Sequence, residues 1–357
     1  MLSKNNIKEC ISSLKKQLKP QEKGDIVFFR NRENYKPYKI SSDYFHPIKS
    51  QNSPKNRKIA FIDGGNNTII SAPNFCVVLN RLHFCLYQNN IRLKPKIEDT
   101  IDFISVCSSI VENNEIYFTV EVLSDSNMLK ELKKTIKISS VDKSISSGLY
   151  RAKISKVSDV ARKYAEWIYA KEIAKNQLDT GDIIIRDGTL EARFVGESDF
   201  ADIAYNACTE KNIIFAGIAK TTTLFTNTGA NFASVLNSYS PKNQTWYYLP
   251  VVDINSKYHR AKMIFSKLHK RANRILRADI FNGSKCDIDE FFYLLSDNSK
   301  DPCFFGYPYG LIEAHKMALV SGKELQYYKT MATAYLDKSA FADISAQDGH
   351  DELDRAI

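Results

Sequence analysis

Two apolar runs far apart in the chain end in the same dipeptide: "RKIAFIDGG" at 57–65 and "GDIIIRDGTL" at 181–190. Unbroken apolar residues of strand length suit a strand buried on both faces. Each run then meets Asp-Gly, where a strand stops and the backbone turns through glycine, so Asp63 and Asp187 stand at the ends of two core strands. Asp-Gly alone is a common turn that Asp merely caps. The segment between gives the pair its weight, because "KVSDVARKYAEWIYAKEIAKNQL" at 156–178 has helical period, with Val160, Tyr164, Trp167, Ile168 and Ala174 on an apolar face and Glu166 beside Trp167. Strand-Asp, helix-Glu, strand-Asp is the order of an α/β domain with a mixed sheet.

The rest of the chain fits that frame. "FCVVLNRLHFCLY" at 75–87 and "EIYFTVEVL" at 115–123 read as a meander after the first strand, and "NIIFAGIAKTTTL" as a further strand. A ribbon-like region spans 245–281, and "LIEAHKMALV" and "ELQYYKTMATAYL" are helical. Near the start, Ile7, Cys10, Ile11, Leu14 and Leu18 form one stripe of an amphipathic helix over 3–18, which either packs on the body or docks a second chain. Residues 19–57 hold four prolines and predict an irregular arm. The resulting division is 1–56 for helix and arm and 57–357 for the α/β domain.

Charge and cysteine content narrow the function. The excess of 50 Lys+Arg over 41 Asp+Glu gives a net charge of +9, which favours an acidic partner such as nucleic acid. Seven cysteines, an odd number with no CxxC, exclude a zinc framework and fit a reduced, cytoplasmic setting. No segment reaches the roughly 18 apolar residues of a membrane span.

The late helix adds His315 to the three acids, and this layout is that of ribonuclease-H-like nucleases. Oxygen ligands with one imidazole suit Mg²⁺ or Mn²⁺, the latter tolerating nitrogen better. Two such ions about 4 Å apart would activate water and stabilise the leaving oxygen in phosphodiester hydrolysis. Lys220 follows a strand beside three threonines, but "NIIFAGIAKTTT" lacks the glycines of a Walker loop, so its lysine either stabilises charge near a phosphate or is structural. The stretch 257–280 carries eight Lys and Arg with no acid before Asp279, among them Lys267, Lys270, Arg271, Arg274 and Arg277, and reads as a phosphate-tracking surface or a solvated ribbon. Phe265 there either stacks bases or packs the core.

The stretches "FIDGG", "ARKYAEW", "IIIRDGTL", "GIAKTTTL", "SKLHKRANRILRADI" and "GYPYGLIEAHKMA", in this order, resemble the NurA nuclease domain from about residue 57 onward. The resemblance implies a ribonuclease-H-like core, a toroidal homodimer, and a manganese-dependent DNA nuclease that works beside the hexameric HerA ATPase. It implies that Asp63, Glu166 and Asp187 are the metal-binding acids and that Tyr307 and His315 are the late tyrosine and histidine of the site. Glu172 competes with Glu166, although six helical residues put the two on different faces; Tyr309 competes with Tyr307. The first motif reads Asp-Gly-Gly where that family often has Asp-Gly-Ser, which removes a hydroxyl and keeps the carboxylate. The same resemblance leaves open a catalytically silent adaptor for DNA ends or for the ATPase.

Overall fold

In the computed structural model, which describes residues 3–17, 24–50, 56–132, 136–146, 148 and 150–336, helix α1 (Lys4–Gln17) comes first. Its apolar stripe is uncovered, with Ile7, Ile11 and Leu14 each about half exposed; Leu18 lies outside the described residues. The arm is more regular than its prolines suggest, because β1 (Tyr35–Pro37) and β2 (Phe45–Pro47) both pair with strands late in the chain. Pro47 fits because β2 is the edge of the large sheet, where a missing N–H leaves no ladder bond unmade.

Next come β3 (Lys58–Ala72), β4 (Phe75–Gln88), the short β5 (Ile91–Leu93), β6 (Thr100–Glu112), β7 (Glu115–Leu123) and β8 (Ile136–Ser139), neighbours pairing antiparallel as the meander predicts. One expectation fails here. β3 does not stop at Asp63; it continues through Gly64 and Gly65 to Ala72, with Asp63 opposite His83 and Gly65 opposite Arg81. Neither glycine has a left-handed φ, so they serve close approach and not a turn. A Cβ on Gly64 would sit 2.8 Å from Glu166 Oε1, and one on Gly65 would sit 2.2 Å from the Ala318 carbonyl oxygen.

Helix α2 (Ser158–Asn176) leads into β9 (Ile183–Asp187), and α3 (Glu197–Glu210) into β10 (Ile214–Ala219). β9 runs parallel to β3, and β10 parallel to β9, which gives the core order β6-β4-β3-β9-β10. Three antiparallel strands followed by two parallel ones on the far side of the first make this a ribonuclease-H-like mixed sheet. At β9 the sequence expectation holds, since the strand ends at Asp187 and Gly188 turns with φ +108°. After α4 (Phe232–Tyr239), β11 (Trp246–Tyr248) and β12 (Val252–Ile254), the strands β13 (Ala261–Lys267) and β14 (Leu276–Phe281) form a hairpin that extends the sheet from β10. Helices α5 (Ile288–Asp297), α6 (Tyr309–Ala318) and α7 (Gly322–Tyr335) complete the described chain.

Helices cover both faces of the sheet, and the strand period of two decides which side chain meets which. Ile62 and Ile184 lie in the core shared with Trp167 and Ile168 of α2; Phe61 and Ile185 lie in the core shared with Leu311 and Ala314 of α6. Extending that alternation turns Asp63 and Asp187 to the α6 face and Arg186 to the α2 face. α2 itself is buried on almost every side, which takes Glu166 into the interior with Ala165 and Trp167. Phe265 belongs to the core, fully buried against Phe232.

Candidate metal centre

Asp63 from β3, Asp187 from the end of β9 and His315 from α6 each offer a ligand atom, all within 4.8 Å of one another. Among the described residues no other group of His, Cys, Asp or Glu has this geometry. His315 Nδ1 lies 2.7 Å from Asp63 Oδ2, and the Gly64 N–H donates to Asp63 Oδ1 at 2.8 Å. Burial first, then the charges of Asp187 and Glu166, push the Asp63 carboxyl up to about 6, against the hydrogen bonds from His315 and Gly64. Two acids crowded this closely want a cation, and part of that demand is met by Lys220, whose Nζ is 2.6 Å from Asp187 Oδ2. The donor set of two carboxylates and one imidazole therefore fits a divalent ion of the Mg²⁺ or Mn²⁺ class.

Tyr307 and Lys220, which sequence left with alternatives, both come to this place. The Lys220 ammonium stands 5.1 Å from the centre of the Tyr307 ring. The Tyr307 hydroxyl is buried and close enough to Asp187 to feel its charge, yet makes no hydrogen bond of normal geometry; burial, then Asp187 and Asp63, push its ionisation far up. Tyr309 points elsewhere, edge-on to Tyr87.

Glu166, not Glu172, is the inward acid of α2: Glu172 bonds Lys171 and Asn176 at the surface of the helix. Yet Glu166 does not join the other three. Its Oε1 accepts from Arg162 Nη1 at 2.5 Å and Lys163 Nζ at 3.1 Å, and its Oε2 from Lys163 Nζ at 2.9 Å and Arg186 Nε at 2.8 Å. Burial alone would raise its pKa, but Lys163, Arg186 and Arg162 together outweigh it and hold the carboxylate down at about 2. The Arg186 guanidinium also stacks 4.3 Å above Trp167. Sequence reasoning missed this cluster; the signal was present, since Arg162 and Lys163 are four and three residues before Glu166 and so share its helical face.

The basic segment divides. Lys270, Arg271 and Arg274 are exposed on the β13–β14 connection and Lys267 is half-buried beside them. The pairing of Arg277 with Ala219, next to Lys220, puts this connection at the same end of the sheet as the metal candidates. Arg277 departs from the expectation of a DNA-facing cation. It is buried, donating from Nε to Asp279 Oδ1 at 2.8 Å, because residues two apart on a strand share a face. His259 Nε2 lies 2.9 Å from Asp279 Oδ2, which also accepts the Leu190 N–H at 3.1 Å, so the cluster braces the loop that follows Asp187. No motif announced Asp279.

Residues 57–320 match a family model described as the NurA domain. Among solved structures the chain is similar to the NurA nuclease from Sulfolobus solfataricus, at 14% identity over 94% of this chain and 95% of that one, with a TM-score of 0.48. It is also similar to the catalytic domain of human Endonuclease V, at 9% identity over 77% and 89% of the two chains and a TM-score of 0.38. Endonuclease V from Ciona intestinalis, in complex with a 24mer DNA, gives 11%, 76% and 87%, and 0.36. No match is found among curated proteins.

Proposed function

The chain belongs to the NurA domain family, and from that premise we propose that it is a divalent-cation-dependent deoxyribonuclease acting on single-stranded DNA and DNA ends. The observation that carries the reading is the convergence of Asp63, Asp187 and His315 within 4.8 Å at the end of the sheet from which the basic connection projects. A bound cation would supply the charge that polarises the phosphate and activates water. Asp63 and Asp187 would hold it as hard oxygen donors, and the His315 imidazole favours Mn²⁺ over Mg²⁺. Lys220, fixed on Asp187, presents an ammonium where negative charge develops as the phosphodiester is attacked. The exposed Lys270, Arg271 and Arg274 track the strand through its phosphates.

The proposed assembly is a homodimer working with a HerA-type hexameric ATPase. Its support in this chain is that the sequence has no Walker loop to drive movement along DNA, and that the stripe of Ile7, Ile11 and Leu14 on α1 is uncovered and available to a partner. Among the described residues no helix is long and apolar enough to cross a membrane.

The test is cleavage of a labelled oligonucleotide with Mn²⁺. Asp63→Asn and Asp187→Asn are expected to abolish cutting while DNA binding persists, because each removes a charged ligand and keeps its size. Parental rates in both variants would refute the assignment, and a silent adaptor would cut in neither form.

A further inference from the structure

Glu166 sits against the candidate metal centre without being free to serve it. Its two oxygens receive donors from Arg162, Lys163 and Arg186, and its side chain is 1% exposed. A carboxylate offers about four lone-pair sites, and these donors use them. The cluster is also wedged in place: Arg162 Nη1 donates to the Gly64 carbonyl at 2.9 Å, and Gly64 leaves no room between its backbone and Glu166 Oε1. To ligate an ion, Glu166 would have to abandon three cations inside the protein, where an unpaired charge is strongly disfavoured.

We infer that the centre binds one divalent cation, on Asp63, Asp187 and His315, and that Glu166 anchors Lys163 as a phosphate-facing cation where a second ion would otherwise be needed. The inference rests on the reading of those three residues as a metal site. Its second support is charge. Three cations stand against Glu166 and the Arg162 partner Asp159, which leaves a positive surplus beside the acids. Its third is access. Lys163 is the most open of the three cations, 26% exposed against 14% for Arg162 and 3% for Arg186. It lines a cleft of about 230 Å³ in which Arg186 and Arg193 join it against Glu191 and Glu197, and whose Gly188 and Ala219 adjoin Asp187 and Lys220. A phosphate oxygen entering that cleft meets an ammonium already held in position, and Glu166 acts as a positioning residue through it.

The experiment counts manganese per chain from the loss of the free Mn²⁺ EPR signal, with and without a phosphorothioate single strand that resists cleavage. One ion per chain in both states is expected. Two ions in either state overturn the inference and leave the metal reading standing; no bound ion overturns both. Lys163→Met tests the lysine separately: it is expected to keep one manganese and to lose about tenfold in affinity for the same strand, the worth of one charge-assisted hydrogen bond. Lys163→Arg is expected to recover most of that loss. Parental affinity in Lys163→Met overturns the role given to Lys163.

Discussion

Gly65→Ala separates packing from chemistry more sharply than any change to a ligand. The added methyl would lie 2.2 Å from the Ala318 carbonyl oxygen and 3.1 Å from its carbon, about 1 Å short of ordinary contact. Neither obstacle is a side chain that can swing away; both are backbone at the last turn of α6. Because Gly65 is pinned in β3 opposite Arg81, α6 must yield, and His315 lies one turn before Ala318 on that helix. Overpacking of this kind costs about 1–3 kcal/mol, which a domain with roughly 5–15 kcal/mol of stability survives. The site is less tolerant. A shift near 1 Å breaks the 2.7 Å contact of His315 with Asp63, and misplacement of that size can cost about 100-fold in rate. The expected result is therefore a folded variant, melting a few degrees lower, whose Mn²⁺ affinity falls and whose kcat/KM drops by about two orders of magnitude. Gly322→Ala is the control, since a Cβ there meets nothing within 4 Å. Manganese titration and cleavage rates at parental values in Gly65→Ala would refute the reasoning.

Two other outcomes follow from the charges. Replacing Lys270, Arg271 and Arg274 by alanine should weaken DNA binding equally for all sequences and flatten its salt dependence by about 0.7–0.9 per lost phosphate contact, read from log affinity against log salt; an unchanged slope would make the segment a plain solvated connection. Asp279→Asn should cost about 3 kcal/mol in urea unfolding at neutral pH, because it strands the buried Arg277. Burial alone would raise the Asp279 carboxyl, but Arg277 and His259 hold it far below its ordinary 3.8. A folded pKa below the unfolded one stabilises the protein above the unfolded value and less as pH falls. The parent's margin over Asp279→Asn should thus be full at neutral pH and shrink below about pH 4, and a margin independent of pH would contradict the pairing.

Local pattern was enough to find α2, β9 and the start of β3, but not the strands β1 and β2 of the arm. The apolar runs before Asp63 and Asp187 and the helical period of 156–178 depend on neighbours within a few positions; β9 and α2 appear where those signals put them, whereas β3 begins as read and runs on to Ala72. Burial and long-range pairing were another matter. Asp63-Gly64-Gly65 has the composition of a turn, yet β4 supplies a partner for every residue, and the two glycines answer to different helices far along the chain, Gly64 to Glu166 of α2 and Gly65 to Ala318 of α6. Glu166 has the sequence signature of a ligand, but the approach of Arg186 from β9 turns it into the centre of an ion cluster. Arg277 belongs to a basic run by composition, and the alternation of β14 points it inward to Asp279. Sequence specified which charges exist and on which elements; only the packing of α2 and α6 against opposite faces of one sheet decided which partner each charge met, because Coulomb attraction and steric exclusion act on distances that chain order does not contain.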